Sequence, residues 1–290
     1  MNNKIAFYAG FNDFLREHGA EEAAKLTKKY GFSGVEFLFM ARDGEIPTKE
    51  TAQKYKRALE AEGLEVACVS CGASLVKAEA PSVTDMNTIE NLCKAVDFAK
   101  AVGSNLFHHT LYLNVWQPPV FGYYDAYKAI VNGAELVANY AASRGMTVIY
   151  EPQGWFFNGC EGFLKFYREI KLRCKNVGIC FDVGNTYWVD EEPSAFLEAT
   201  IDDVFHVHIK DYIIDDKTSE YKTRSGRYIK EVPVGQGEIK LIDLITKLKD
   251  SGYSGYYSNE DATDTQIEKK FNLVYNLLNA KQLNKQEALH

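Results

Sequence analysis

The chain contains no apolar run approaching the ~18 residues that a membrane-spanning helix requires. Its first residues, MNNKIAFYAGFND, lack the long apolar stretch and small-residue cleavage site of a secretory leader, so a cytoplasmic protein is expected. Basic residues are in the minority: 33 Lys and Arg face 40 Asp and Glu, for a net charge of −7. A nucleic-acid backbone demands a basic face, which excludes it as the principal partner. Cysteine is sparse. The six (Cys68, Cys71, Cys93, Cys160, Cys174 and Cys180) are scattered instead of framing a small loop-rich unit, which excludes a disulfide scaffold and fits reduced thiols. Cys68 and Cys71 form a C-x-x-C inside the strand-like VACVSCGAS, with no second Cys or His pair nearby, and read as small buried residues. Linkers and low-complexity stretches are also missing, so residues 1–290 are expected to form one domain, with 46% hydrophobic residues to build its core.

What is present is a repeated unit: a helical run, a glycine, then a short β-rich run. It occurs as KKYGFSGVEFLF, EAEGLEVACVS, KAVGSNLFHHT, ASRGMTVIYEP and KDSGYSGYYSNE. Glycine tolerates the left-handed backbone that closes a helix C-terminus, so Gly31, Gly63, Gly103, Gly145 and Gly252 mark helix stops. With IAFYA, VGICFDV and VFHVHIK the strand candidates number eight: 5–9, 34–39, 65–71, 105–111, 147–152, 177–183, 204–210 and 255–260. Helical periodicity fills the intervals. Tyr127, Ile130, Val131, Ala134, Val137, Ala138 and Ala141 follow i, i+3, i+4, i+7 spacing, as do Ile267, Phe271, Val274 and Leu278. Eight β/α units predict a (β/α)8 TIM barrel. The structural alternative, a doubly wound open sheet, would bring a Gly-rich phosphate turn after the first strand, and AGFND is not one. Two connections are long, 111–125 and 211–237. Both leave the C-terminal ends of strands, where barrel active sites form; Trp116, Phe121, Tyr123 and Tyr124 in the first suit a lid or a sugar-stacking wall.

The last four strands carry ligand-type side chains near their ends: Glu151 in TVIYEPQ, Asp182 in VGICFDVGN, His208 in VFHVHIKDY and Glu260 in YYSNE. Alternation turns each inward with its neighbours two residues away, and sets His206, His208 and Lys210 on one face. Three carboxylates meeting in a barrel mouth repel one another unless a cation neutralises them. The mixed oxygen and nitrogen set suits Mn²⁺, Mg²⁺, Co²⁺ or Zn²⁺.

With these residues in IYEP, FDVGN, HVHIKD and GYSGYYSNE, together with VPVGQGEI at 232–239, nearly the whole sequence resembles the xylose-isomerase-like TIM barrels. That family includes sugar and sugar-phosphate epimerases and isomerases, with inosose dehydratase and endonuclease IV branches. The resemblance implies Glu151, Asp182, His208 and Glu260 as ligands of one divalent cation, with Glu151 and Glu260 also as base and acid. It implies proton abstraction beside the carbonyl of a ketose or ketose phosphate, through an enediolate, with an inosose dehydratase or isomerase as the alternative. His206 then lies deeper as a hydrogen-bonded core residue, Lys210 contacts substrate oxygen or a carboxylate, and Asp211 holds a loop. Asn185 stands where free-ketohexose epimerases have His, as in several sugar-phosphate relatives. Lys210, Arg224, Arg227 and Lys230 are candidates for gripping an anion. Glu36, His108, His109, Gln153 and Trp188 are further candidates for substrate contact. An endonuclease-like reading would need more than six histidines and a basic face. The expected partner is a small sugar or sugar phosphate, and the chain is compatible with a homo-oligomer.

Overall fold

The computed structural model describes residues 4–42, 44–113, 117–263 and 266–280. The first half runs β1 (Lys4–Phe7), α1 (Phe11–His18), α2 (Ala20–Lys29), β2 (Gly34–Met40), α3 (Lys49–Ala61), β3 (Glu65–Gly72), β4 (Val76–Lys77), β5 (Ala80–Thr84), α4 (Met86–Val102) and β6 (Leu106–His109). The second half continues α5 (Tyr123–Ala142), β7 (Thr147–Tyr150), α6 (Cys160–Arg173), β8 (Val177–Asp182), α7 (Pro193–Thr200), β9 (Val204–Ile209), β10 (Asp211–Ile214), β11 (Ile229–Val232), α8 (Leu241–Asp250), β12 (Tyr256–Asn259) and α9 (Ile267–Asn279). Eight of these strands close a barrel in the order β1-β12-β9-β8-β7-β6-β3-β2, every pairing parallel. The expected (β/α)8 barrel is the observed fold. Each expected strand is present, most of them shorter by one to three residues, because the ladder ends where the chain turns away toward a helix.

The five glycines of the repeated unit all have left-handed backbone, φ 65 to 102°. At Gly103 the amide closes α4 on the carbonyls of Ala99 and Lys100. The main core lies between strands and helices. There Ile130, Val131, Ala134, Val137, Ala138 and Ala141 of α5 bury the stripe that their spacing predicts. Phe37, Phe11 and Phe98 interlock edge to face at centroid distances of 5.2 and 5.4 Å, each side chain contributing roughly 1.5–3 kcal/mol by its removal from water. The barrel interior holds a small apolar floor, Cys68, Ile149 and Cys180.

Two antiparallel hairpins stand on the barrel. One, β4–β5, follows β3; the other, β10–β11, occupies much of the 211–237 connection. In the 111–125 connection, Tyr112, Phe121 and Tyr123 pack on Phe156 at 5.6–6.2 Å, Tyr112 meets Phe121 at 5.2 Å, and Tyr123 and Tyr124 already belong to α5. Trp116 lies outside the described residues. Among the described residues no helix is long and apolar enough to cross a membrane, and all six cysteines are free.

Candidate metal centre and active site

Strand alternation aims the four expected ligands at one point. Asp182 ends β8, His208 lies in β9, and Glu151 and Glu260 are each the first residue after β7 and β12. The amide of Glu260 donates to the Ile209 carbonyl at 3.0 Å, which prolongs the ladder and fixes that side chain's origin. One ligand atom from each of the four residues lies within 4.8 Å of the other three. Nδ1 of His208 is 3.1 Å from Glu151 Oε2 and 3.2 Å from Glu260 Oε2. Asp182 uses Oδ1 to accept the amides of Gly184 and Asn185 at 2.8 and 2.7 Å, which leaves Oδ2 for the centre.

Lys210 Nζ stands 2.9 Å from Asp182 Oδ2 and 3.1 Å from Glu260 Oε2. It pairs with both oxygens at ion-pair distance but outside hydrogen-bond geometry. Burial and the neighbouring carboxylates Glu260 and Glu151 push the Asp182 carboxyl well up, against the pull of Lys210. Burial also opposes charge on Glu260, but the Lys210 and His208 charges outweigh it and hold that carboxyl well below the usual range. Lys210 is pushed up, because Asp182 and Glu260 outweigh its desolvation.

These residues fit a divalent cation. At an effective dielectric of 20, each pair of charged carboxylates about 4–5 Å apart costs about 3–4 kcal/mol, a repulsion that a divalent cation among them relieves. Two ligands about 2.1 Å from one ion lie at most about 4.2 Å apart, so a small contraction of the observed cluster would bring all four residues within reach of one ion. Oδ2 of Asp182 and Oε2 of Glu260 would offer the lone pairs, and Nδ1 of His208 the nitrogen.

Beneath the ligands lies a second polar layer. Glu36, fully buried, accepts from Ser70 Oγ (2.6 Å) and Ser258 Oγ (2.5 Å), and lies 2.8 Å from His206 Nε2 and 3.1 Å from His208 Nε2. Burial raises the Glu36 carboxyl's proton affinity, but the charges of His208 and His206 and their hydrogen bonds bring it well below the usual range. A proton on His208 Nε2 given to Glu36 leaves Nδ1 as the acceptor facing the centre, the carboxylate–imidazole arrangement that orients metal-binding histidines. His206 is the hydrogen-bonded core histidine expected, on Glu36 and on Ser258 (2.9 Å). Tyr8, which the sequence reading passed over, stacks on His208 at 4.8 Å; its inward parity in IAFYA was the available signal.

The candidates for substrate contact separate into two groups. Asn185 Oδ1 is 3.2 Å from Lys210 Nζ, and His108 Nε2 is 3.6 Å from Glu151 Oε1, so both border the centre. Asn185 Nδ2, His108 Nε2 and Gln153 Oε1 are buried without a hydrogen-bond partner. The others are engaged elsewhere. His109 points outward against Tyr150 at 5.2 Å, with burial pushing its imidazole down to about 4. Trp188 packs on Tyr212 and Tyr221. Arg224 covers the Trp155 ring and donates to the Trp155 carbonyl, while Arg227 pairs with Asp215 and Lys230 with Asp216. Lys210 is thus the one basic candidate of the four that faces the ligands.

Asp211 holds its loop as expected. It accepts the amides of Gly235 (3.0 Å), Gly237 (2.9 Å) and Ile239 (3.3 Å). A Cβ on Gly237 would sit 2.1 Å from Asp211 Oδ1, so the clamp needs glycine there. Gly184 of FDVGN is required in the same way, since a Cβ would meet Tyr212 at 2.6 Å and Lys210 at 2.9 Å.

The model of the xylose isomerase-like TIM barrel family matches residues 24–280. An inosose dehydratase of Clostridium botulinum (strain Alaska E43 / Type E3) is 23% identical over 271 residues, covering 88% of this chain and 86% of its own. Among solved structures, 3-keto-D-glucoside 4-epimerase from E. coli superposes with a TM-score of 0.72 at 18% identity, over 95% of this chain and 99% of the other. A xylose isomerase-like TIM barrel protein from Mycobacterium smegmatis, in complex with magnesium, gives 0.71 at 13% identity, over 96% and 97%. The likeness to both structures is one of fold.

Proposed function

The chain belongs to the xylose isomerase-like TIM barrel family, and from that premise we propose that it is a divalent-metal-dependent epimerase or isomerase of a ketose or ketose phosphate. The observation that carries this reading is the convergence of Glu151, Asp182, His208 and Glu260, with ligand atoms within 4.8 Å of one another. A bound divalent cation supplies Lewis acidity toward a substrate carbonyl and its neighbouring hydroxyl. Glu151 and Glu260 enter from β7 and β12, which flank β8 and β9 in the barrel order. One of the two, as the carboxylate, takes the proton from the carbon beside the carbonyl, and the other, as the carboxylic acid, gives a proton to the opposite face. Lys210 steadies the negative charge that develops on the substrate oxygens. Asn185, His108 and Gln153 offer their unpartnered polar atoms to hydroxyls. The free thiols fit a cytoplasmic protein.

The match to an inosose dehydratase over 88% of the chain favours a second reading, dehydration of a cyclic keto-polyol. It starts from the same proton abstraction and ends with loss of hydroxide. A panel of ketoses, ketose phosphates and inososes, incubated in deuterium oxide with Mn²⁺ or Mg²⁺, tests both. Deuterium at the carbon beside the carbonyl in a product of unchanged composition supports the epimerase or isomerase. A product lighter by one water supports the dehydratase. No exchange and no turnover across the panel would contradict proton-transfer chemistry at this site.

A further inference from the structure

We propose that the centre contains a second, deeper seat for a thiophilic divalent cation, formed by Glu151, Cys180 and His208. The inference rests on the metal-binding reading of the upper four residues and extends it to a different class of ion. Cys180 lies two residues before Asp182 on β8 and faces the barrel interior with it. Its sulfur, one Glu151 oxygen and one His208 nitrogen all lie within 4.8 Å of one another, and the residues are buried.

The two seats share Glu151 and His208, so they cannot be filled together. They differ in chemistry. The upper adds two carboxylates, Asp182 and Glu260, a hard oxygen set suited to Mg²⁺ or Mn²⁺. The lower adds sulfur, which Zn²⁺, Co²⁺ and Cd²⁺ prefer and Mg²⁺ avoids. Ligands about 2.0–2.3 Å from a tetrahedral ion lie about 3.6 Å apart, so movements of roughly 1 Å in the Glu151 and Cys180 side chains would bring three ligands to one ion and leave its fourth position to solvent. On binding, the thiol gives its proton to solvent and the sulfur takes the metal bond. Cys68 and Ile149 pack against Cys180 and screen that bond from water. An ion held there leaves Asp182 and Glu260 paired with Lys210 and draws Glu151 away from them. A thiophilic ion seated there competes with an ion of the upper seat for Glu151 and His208.

The test is absorption spectroscopy of the protein loaded with Co²⁺, using wild type, Cys180→Ser, Cys180→Ala and Cys68→Ser. A sulfur-to-cobalt charge-transfer band is expected in wild type and Cys68→Ser, and its loss in both Cys180 variants. The Cd²⁺ affinity of those variants should fall by at least the roughly tenfold that loss of even an outer partner brings, with Mn²⁺ affinity far less affected. One bound cobalt without a sulfur band overturns this inference alone, as does a band that depends on Cys68. Failure to bind any divalent ion overturns the metal reading beneath it as well.

Discussion

Glu36→Gln is the perturbation that most cleanly separates orientation of the metal ligand from its presence. The carboxylate collects four contacts, from Ser70, Ser258, His206 and His208, at 2.5 to 3.1 Å in a fully buried position. The amide keeps the shape and one oxygen. His206 Nδ1 is without a partner, so that ring can move its proton there and accept the new amide at Nε2. The remaining oxygen can still face His208 Nε2, but as a neutral acceptor. Hydrogen bonds to charged groups contribute about 1.5–3 kcal/mol against about 0.5–1.5 for neutral ones, so a loss of roughly 1–3 kcal/mol in stability is expected. Nδ1 of His208 becomes less basic and less firmly aimed, which should weaken divalent-ion binding 10- to 100-fold, as loss of comparable outer partners does (roughly). Calorimetric titration with Mn²⁺ alongside a thermal melt measures both quantities. A folded Glu36→Gln protein whose Mn²⁺ affinity stays within about twofold of wild type would refute the orienting role of this carboxylate.

Other consequences are equally direct. A divalent ion at about 100 times its dissociation constant should add about 2.7 kcal/mol to stability, and Asp182→Ala should abolish that gain in a melt with and without metal. His109 is buried with its pKa lowered to about 4, so the folded chain resists protonation while the unfolded chain accepts it near 6.5. Stability should therefore fall by about 3 kcal/mol as pH drops from about 6.5 to about 4, and the slope should shrink correspondingly in His109→Gln, measured by denaturant melts across that window. Gly237→Ala drives a Cβ to 2.1 Å from Asp211 Oδ1 and 2.6 Å from the Tyr212 carbonyl. A cost of about 1–3 kcal/mol and reduced turnover are expected, read by melts and by activity on the substrate identified.

The barrel was legible because its period-2 and period-3.6 patterns are local: IYEP, FDVGN and HVHIKD declare strand ends and facing in a few residues. Parity alone aimed Glu151, Asp182, His208 and Glu260 at the same space, although two of them fall one residue beyond their strands. The hairpins were not legible. Ala80–Thr84, APSVT, carries a proline and no apolar alternation, so its pairing with Val76–Lys77 follows from tertiary context. Arg227 and Lys230 looked free in a long loop, and only the β10–β11 hairpin brings Asp215 and Asp216 to them. Glu36 was readable as a candidate for substrate contact, but it lies third in β2, below the mouth. Its partners His206 and His208 lie 170 and 172 residues away, a contact that depends on barrel closure and no local pattern reports. His109 shows the converse, since adjacency to His108 suggested the mouth while alternation turns it outward.

The position of a hard divalent ion is the decisive observation, and a crystal grown with Mn²⁺ and measured for anomalous scattering gives it. The expected result is a single strong peak about 2.0–2.3 Å from oxygens of Glu151, Asp182 and Glu260 and from His208 Nδ1, with the Lys210 ammonium moved off the Asp182–Glu260 pair. A peak elsewhere, or Lys210 still seated between those two carboxylates at saturating Mn²⁺, would contradict it.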